Sequence, residues 1–302
     1  MKHKKGNNVN GWLIIDKPQG MGSTQVVNFT RRFFNAKKNG HAGTLDPFAT
    51  GVLPIAFGEG TKLIDFITDG DKEYEFTLSF GSETDSSDCT GNITVSGGKT
   101  PTKEEIISVI PNFIGKIKQT PPAFSAIKIN GQRAYNLARK GEEVSIPERE
   151  IEVFGLELTD TKDNLAFFRV QCSKGTYVRS LGRDIARSLN TYGHLTELRR
   201  TKCGLFTIND TILLEKLKNL VYVEQANEFL LPLETSLRDI AVMAVSEAEA
   251  EKLKHGQALS PKVWEGKFPP QTMVATTCNG VLTAMVLVEE TRLSPIRVFN
   301  LT

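Results

Sequence analysis

Tyr74, Phe76, Leu78 and Phe80 alternate with Glu75, Thr77 and Ser79. A two-residue period turns one face of an extended chain inward, so this segment reads as a half-buried strand. Apolar runs at 11–15 and 52–57 predict two more strands, the first closed by the turn chemistry of Lys17-Pro-Gln-Gly20. Between them, Val26, Val27, Thr30 and Phe33/Phe34 fall on one side of a helix that Ser23 or Thr24 is placed to cap. Residues 61–67 predict a short helix, and Thr102-Lys-Glu-Glu105 opens another with a reciprocal capping pattern. A helical stretch is expected near 133–139. Strands at 151–158, 165–172 and 195–201 flank a strong helix over 177–189.

Strand pairs and helices interleave without regular alternation. This favours an α+β fold with a mixed, largely antiparallel sheet and flanking helices. Residues 213–236 read as helical and charged, punctuated by Pro232. After Ile240 the texture changes. A short helix over 247–255 stops at Gly256, and short strands follow at 272–277, 281–288 and 296–299. The expected organisation is a main domain at 1–238 and a small β-rich domain at 239–302.

Composition alters this picture little: 39% hydrophobic and 24% charged residues supply an ordinary core without a stapling metal or disulfide. Cys89, Cys172, Cys203 and Cys278 form no C-x-x-C pair and no zinc spacing, so reduced thiols and a cytoplasmic location are expected. The basic N-terminus lacks an apolar signal-peptide core, and no apolar run reaches the ~18 residues of a membrane span. The charge distribution says more than the net +2. Residues 1–38 carry eight Lys/Arg and one acid, and residues 162–203 carry nine against three. Lys128, Arg133, Arg139 and Lys140 add a third basic segment. If these segments share a face, it would draw a polyanion; solvated surface charge is the plainer alternative. Residues 239–302 are slightly acidic, with six bases and seven acids.

The most informative string is His41-Ala-Gly-Thr-Leu-Asp46-Pro-Phe-Ala-Thr-Gly51-Val-Leu. Gly43 and Gly51 allow sharp turns or close backbone approach. Pro47 pushes Asp46 out of the helical region, so its carboxylate is held up on a loop. An isolated Asp-Pro would more often be a turn aspartate bonding its own backbone. Taken singly, Tyr74 reads as a core strand tyrosine, Arg179 as a surface charge at a helix start, His41 as a structural histidine and Lys17 as a residue before a proline.

Together these segments resemble the TruB family of pseudouridine synthases. His41 through Leu53 is similar to its central motif, whose aspartate falls on Asp46. Asp16-Lys-Pro-Gln-Gly20 with Ser23, Lys72-Glu-Tyr74, Pro121-Pro-Ala-Phe-Ser125 with Lys128, Ser173 through Leu181, and Leu198-Arg-Arg200 resemble further family segments in order. The resemblance implies isomerisation of a uridine at tRNA position 55, in the T-loop, without guide RNA or cofactor. It implies that Asp46 attacks the nucleoside at C1′ or C6, that Arg179 pairs with it, and that Tyr74 stacks on the uracil and can serve in proton transfer. His41 packs beside the flipped nucleotide, Leu198 walls the pocket, and Lys17 supports the site. Gly43 and Thr44 belong to the substrate loop. The insertion at about 121–147, with Lys128 and Arg133, grips RNA. The tail resembles a PUA domain at Leu253-Lys-His-Gly256 and Ile296-Arg-Val-Phe299, although its slight acidity departs from a strongly RNA-gripping module.

The residue chemistry agrees with that implication. Moving C1′ from N1 to C5 needs no redox carrier; one carboxylate, one cation and one aromatic suffice. No metal cluster or Gly-rich phosphate loop argues otherwise, and nothing demands more than a monomer. Two rival functions stay open here: a guide-dependent ribosomal RNA synthase, and a non-catalytic tRNA-folding factor.

Overall fold

A computed structural model describes residues 6–125, 127–129, 131–139, 146–220, 223–260 and 266–301. In chain order the elements are β1 (Gly11–Lys17), α1 (Ser23–Phe33), β2 (Asn39–His41), β3 (Thr50–Phe57), α2 (Ile64–Asp69), β4 (Lys72–Phe80), β5 (Ser82–Thr84), β6 (Ile93–Ser96) and α3 (Lys103–Val109). There follow β7 (Gly115–Gln119), β8 (Lys128–Ile129), β9 (Gln132–Arg133), α4 (Ala134–Arg139), β10 (Arg149–Lys162), β11 (Leu165–Cys172), α5 (Val178–Ser188) and β12 (Gly193–Cys203). The last are β13 (Phe206–Thr207), β14 (Ile212–Leu213), α6 (Leu214–Lys218), β15 (Ala241–Ala244), α7 (Glu247–Lys254), β16 (Met273–Cys278), β17 (Val281–Val288) and β18 (Leu293–Val298).

The main sheet runs β14-β1-β3-β12-β4-β11-β10-β7, with β2 on β3 and β13 on β12. The β1–β14 and β3–β12 pairings are parallel and the others in this sheet antiparallel, as the α+β reading expects. The β3–β12 join is only Thr50–Arg199 and Gly51–Arg200. A Cβ on Gly51, which sits at φ +101°, would lie 2.2 Å from the Arg200 carbonyl oxygen. Only glycine admits that approach, and the approach sets β12 beside the loop that leads into β3.

Alternation fixes the burial. Tyr74, Phe76, Leu78 and Phe80 join Leu195 and Leu198 of β12 in the principal core, packed with Val26 of α1 and Leu181 and Ile185 of α5. Glu73 and Glu75 face away and meet Gln171 and Arg169 of β11. Thr77 and Ser79 are nevertheless buried, so this strand is covered more fully than the half-buried pattern predicts. The opposite face of β1 and β3 carries Trp12, Ile14, Val52 and Ala56. These pack against Ala275, Leu282, Met285 and Phe299 of the tail in one cluster. The tail sheet, β15-β16-β17-β18, buries its other face under Ala250 and Leu253 of α7.

Three local readings need correction. The α1 N-cap is Gly22, not Ser23 or Thr24; the Gln25 Oε1 accepts from the Gly22 amide, and Ser23 spends its hydroxyl elsewhere. The predicted helix at 61–67 is a 3₁₀ turn, Gly58–Leu63, running into α2. Among the described residues of 213–236 the helical pieces are the short α6 and two 3₁₀ turns, because Pro232 and the lack of a continuous apolar stripe stop a longer helix. The Thr102 capping box forms as read: Glu105 donates its amide to Thr102 Oγ1 and accepts from the Thr102 amide.

Candidate active site

The loop between β2 and β3 is held from three sides. Ser23, buried at the start of α1, donates its hydroxyl to the Leu45 carbonyl at 2.9 Å and accepts the Leu45 amide at 2.8 Å. Lys17, at the end of β1, donates its ammonium to the carbonyls of Met21 (2.7 Å), Pro18 (2.9 Å) and Pro47 (3.3 Å). Arg200 on β12 donates Nη2 to the Gly43 carbonyl at 3.0 Å and Nε to the Val52 carbonyl at 2.8 Å. The Ala49 amide closes the turn on the Asp46 carbonyl. The backbone on both sides of Asp46 is thus pinned, and its side chain projects half-buried above it.

Arg179, one residue into α5, meets that side chain. Its Nε lies 2.9 Å from Asp46 Oδ2, in an ion pair whose N–H is not aligned as a hydrogen bond. Nη1 lies 3.3 Å from Asp88 Oδ2 and donates to the Ser86 carbonyl; Nη2 donates to the Phe124 carbonyl. The arginine side chain is 3% exposed and Asp46 34%, so the pair presents its carboxylate end to solvent. Burial lifts the Asp46 carboxyl above its ordinary value. Arg179 opposes that rise, Asp88 adds to it, and Lys17 opposes it again. Asp88 escapes a sequence reading because nothing in Thr84-Asp-Ser-Ser-Asp-Cys marks it; its burial beside Arg179 is a tertiary fact.

Tyr74 and Leu198 come from adjacent strands, with Tyr74 opposite Arg200 and Phe76 opposite Leu198. Tyr74 is buried, which raises its phenol pKa; the Arg200 guanidinium opposes the rise. Tyr74 therefore reaches the Asp46 loop through Arg200, which holds Gly43. Leu198 lines an open cavity of about 480 Å³ together with Gln19, Phe48, Thr50 and Phe76, whereas Asp46, Tyr74 and Arg179 are not among its lining residues.

His41 ends β2, paired with Ile55 of β3. Burial, with help from Arg200, lowers its pKa, so the imidazole is neutral at neutral pH, and its Nδ1 is buried without a hydrogen-bond partner. Burial also pushes Lys17 down to about 8, Asp46 opposing and Arg200 assisting. Thr44 is exposed at the loop's apex, next to Gly43 at φ +91°. Lys128 and Arg133 pair backbone to backbone in the β8–β9 hairpin. Lys140 lies outside the described residues. Among the described residues no group of three or more His, Cys, Asp and Glu side chains is arranged to hold a metal ion. No helix among them is long and apolar enough to cross a membrane.

The structure thus brings together a carboxylate and a buried arginine on a glycine-bounded loop beside a mixed sheet. Comparison with known proteins gives the class. Residues 31–178 match the family model described as TruB family pseudouridylate synthase, N-terminal domain. Residues 179–238 match that of the tRNA pseudouridylate synthase B C-terminal domain. The chain is 44% identical to the tRNA pseudouridine synthase B of Caulobacter vibrioides, over 100% of this chain and 99% of that one. It is 46% identical to that of Bradyrhizobium diazoefficiens, over 100% and 91%. Among solved structures it is similar to the crystal structure of a Cbf5-Nop10-Gar1 complex, with TM-score 0.73, 25% identity and coverage of 96% and 84%. An H/ACA RNP bound to a substrate RNA containing 2'-deoxyuridine shares the fold, with TM-score 0.74, 21% identity and coverage of 100% and 92%. The fold and these matches define a pseudouridine synthase, an isomerase. The chain belongs to the TruB family of pseudouridylate synthases.

Proposed function

We propose that this protein converts a uridine of tRNA into pseudouridine, at position 55 in the T-loop, acting as a monomer in the cytoplasm without a guide RNA. The observation that carries the reading is the Asp46–Arg179 pair: a half-exposed carboxylate 2.9 Å from a guanidinium that is itself buried. The tRNA substrate is supported by full-length relatives named tRNA pseudouridine synthase B, at identities well above those of the guide-particle structures.

The target nucleotide is flipped out of the RNA, because a stacked base is out of a side chain's reach. Asp46 attacks it at C1′ or C6 while Arg179 keeps the carboxylate ionised and aimed. The C1′–N1 bond breaks, the uracil turns, C1′ bonds to C5, and the bond to the Asp46 carboxylate breaks, which frees the enzyme. The C5 proton leaves and N1 takes up a proton, so the sum is an isomerisation. Tyr74 stacks on the uracil and takes part in the proton transfer. Leu198 walls the ring, and His41 packs beside the displaced nucleotide and helps hold the loop open. Lys17 acts through its three carbonyls, as a brace for the loop that carries Asp46. Gly43 and Thr44 form the loop's RNA-facing edge. Lys128, Arg133 and the basic segments contact phosphates. Residues 1–238 carry the chemistry, and the tail at 239–302 is a PUA-like accessory.

The reading is tested by mapping the product on an unmodified tRNA transcript, by carbodiimide adduct formation and primer extension. A single stop at the T-loop uridine, lost when that uridine is replaced by cytidine, is expected. A stop elsewhere, or none without added guide RNA, would overturn the substrate assignment.

A further inference from the structure

Among the described residues Arg200 is the second-largest of the fully buried side chains, at 1% exposure. Its hydrogen-bond acceptors are neutral, the Val52 carbonyl and the Gly43 carbonyl, and it faces Tyr74 across the β4–β12 pair. Burying a cation against neutral acceptors is costly, and a leucine would fill the same strand position without that cost. These three neighbours belong to three different pieces of the site. Val52 is in β3, just after the loop. Gly43 is three residues before Asp46. Tyr74 is the aromatic of β4. A planar fork can serve three such directions at once, whereas an ammonium is a single point. The fit is close: a Cβ on Gly43 would lie 3.2 Å from Arg200 Nη1, so the loop backbone rests directly on the guanidinium.

We propose that Arg200 is a positioning residue that locks the Tyr74 ring and the Gly43 end of the Asp46 loop into one rigid unit. Arg179 aims the carboxylate from the α5 side; Arg200 sets the height of the loop and the placement of the ring from the sheet side. It acts through Tyr74 and the loop and need not touch the RNA. The proposal rests on the pseudouridine-forming reading of this site.

Four variants are compared with the wild type on the same tRNA transcript: Arg200→Lys, Arg200→Gln, Tyr74→Phe and the double variant Arg200→Lys/Tyr74→Phe. Single-turnover rate, tRNA affinity and thermal melting are measured for each. Arg200→Lys is expected to lower the rate about 100-fold while affinity stays within about threefold, because fixed geometry and not binding is lost. In the Tyr74→Phe background the same change should cost at most about tenfold, since part of its route is already gone. Equal losses in the two backgrounds, or a loss confined to affinity, would overturn the proposal. So would failure of both Arg200 variants to fold, which would make the residue a support of the fold alone. An inactive wild type would sink the tRNA reading and this inference with it; an active wild type with additive variants would sink this inference only.

Discussion

At the residue scale the site is an argument between desolvation and pairing. The proposed attack requires an ionised Asp46, yet its surroundings lift its pKa, chiefly through burial. The single-turnover rate should therefore fall on acidification, with a midpoint above the ordinary aspartate value of 3.8. A midpoint at or below that value would mean that Arg179 outweighs burial. The stability sign runs the other way. A carboxyl whose folded pKa is raised stabilises the fold only at low pH, and that contribution is lost as pH rises through the folded value. Asp46→Asn, which is neutral throughout, should consequently melt no lower than the wild type near pH 8. The resemblance implies that Arg179 pairs with Asp46, because each sits in a run of distinctive neighbours, and the structure brings the two together. Asp88 and Arg200 were not legible in the sequence, since what distinguishes them is whom they are buried against.

At the scale of elements, the Asp46 loop depends on two contacts that no helix or strand pattern reveals. One is Ser23, whose hydroxyl bonds Leu45 twice; the sequence suggested a helix cap for it, and the helix uses Gly22 instead. The other is Gly51 at the β3–β12 join. Gly51→Ala places a methyl 2.2 Å from the Arg200 carbonyl oxygen at φ +101°, so the join must open. A cost of about 3 kcal/mol or more is expected, read as a melting temperature lower by roughly 5–10 °C, with activity reduced beyond what stability explains. An unchanged melt would show that the join is not set by this contact. The long, strongly periodic elements, β4, β11, α5 and β17, lie close to where the pattern puts them. The short strands β2, β5, β6, β7, β14 and β15 were missed, because two to five residues carry too little alternation to register.

At the scale of the molecule, pattern gave the fold class but not the strand order. That order arises from long-range pairing, as in the insertion of β12 between β3 and β4. Nor could the sequence show that the tail shares a core with the body. Trp12, its ring tilted against Phe206 at 5.4 Å between centroids, lies in the cluster that also holds Met285 and Phe299 of the tail. Met285→Ala should therefore cost about 2–5 kcal/mol and lower the melting of body and tail together. In a Trp264→Phe background, Trp12 fluorescence reports the body and far-ultraviolet dichroism the whole chain. A tail that melts separately, with the Trp12 signal unmoved, would contradict a shared core.

The central claim is that Asp46 performs the chemistry. The most direct test is tritium release from a tRNA transcript labelled at uracil C5, with wild type and Asp46→Asn side by side. The account predicts release by the wild type, none by the variant, and tRNA affinity within about threefold between them, because in this reading the carboxylate acts on one nucleoside while phosphate contacts carry the binding. Near-normal release by a folded Asp46→Asn would contradict it.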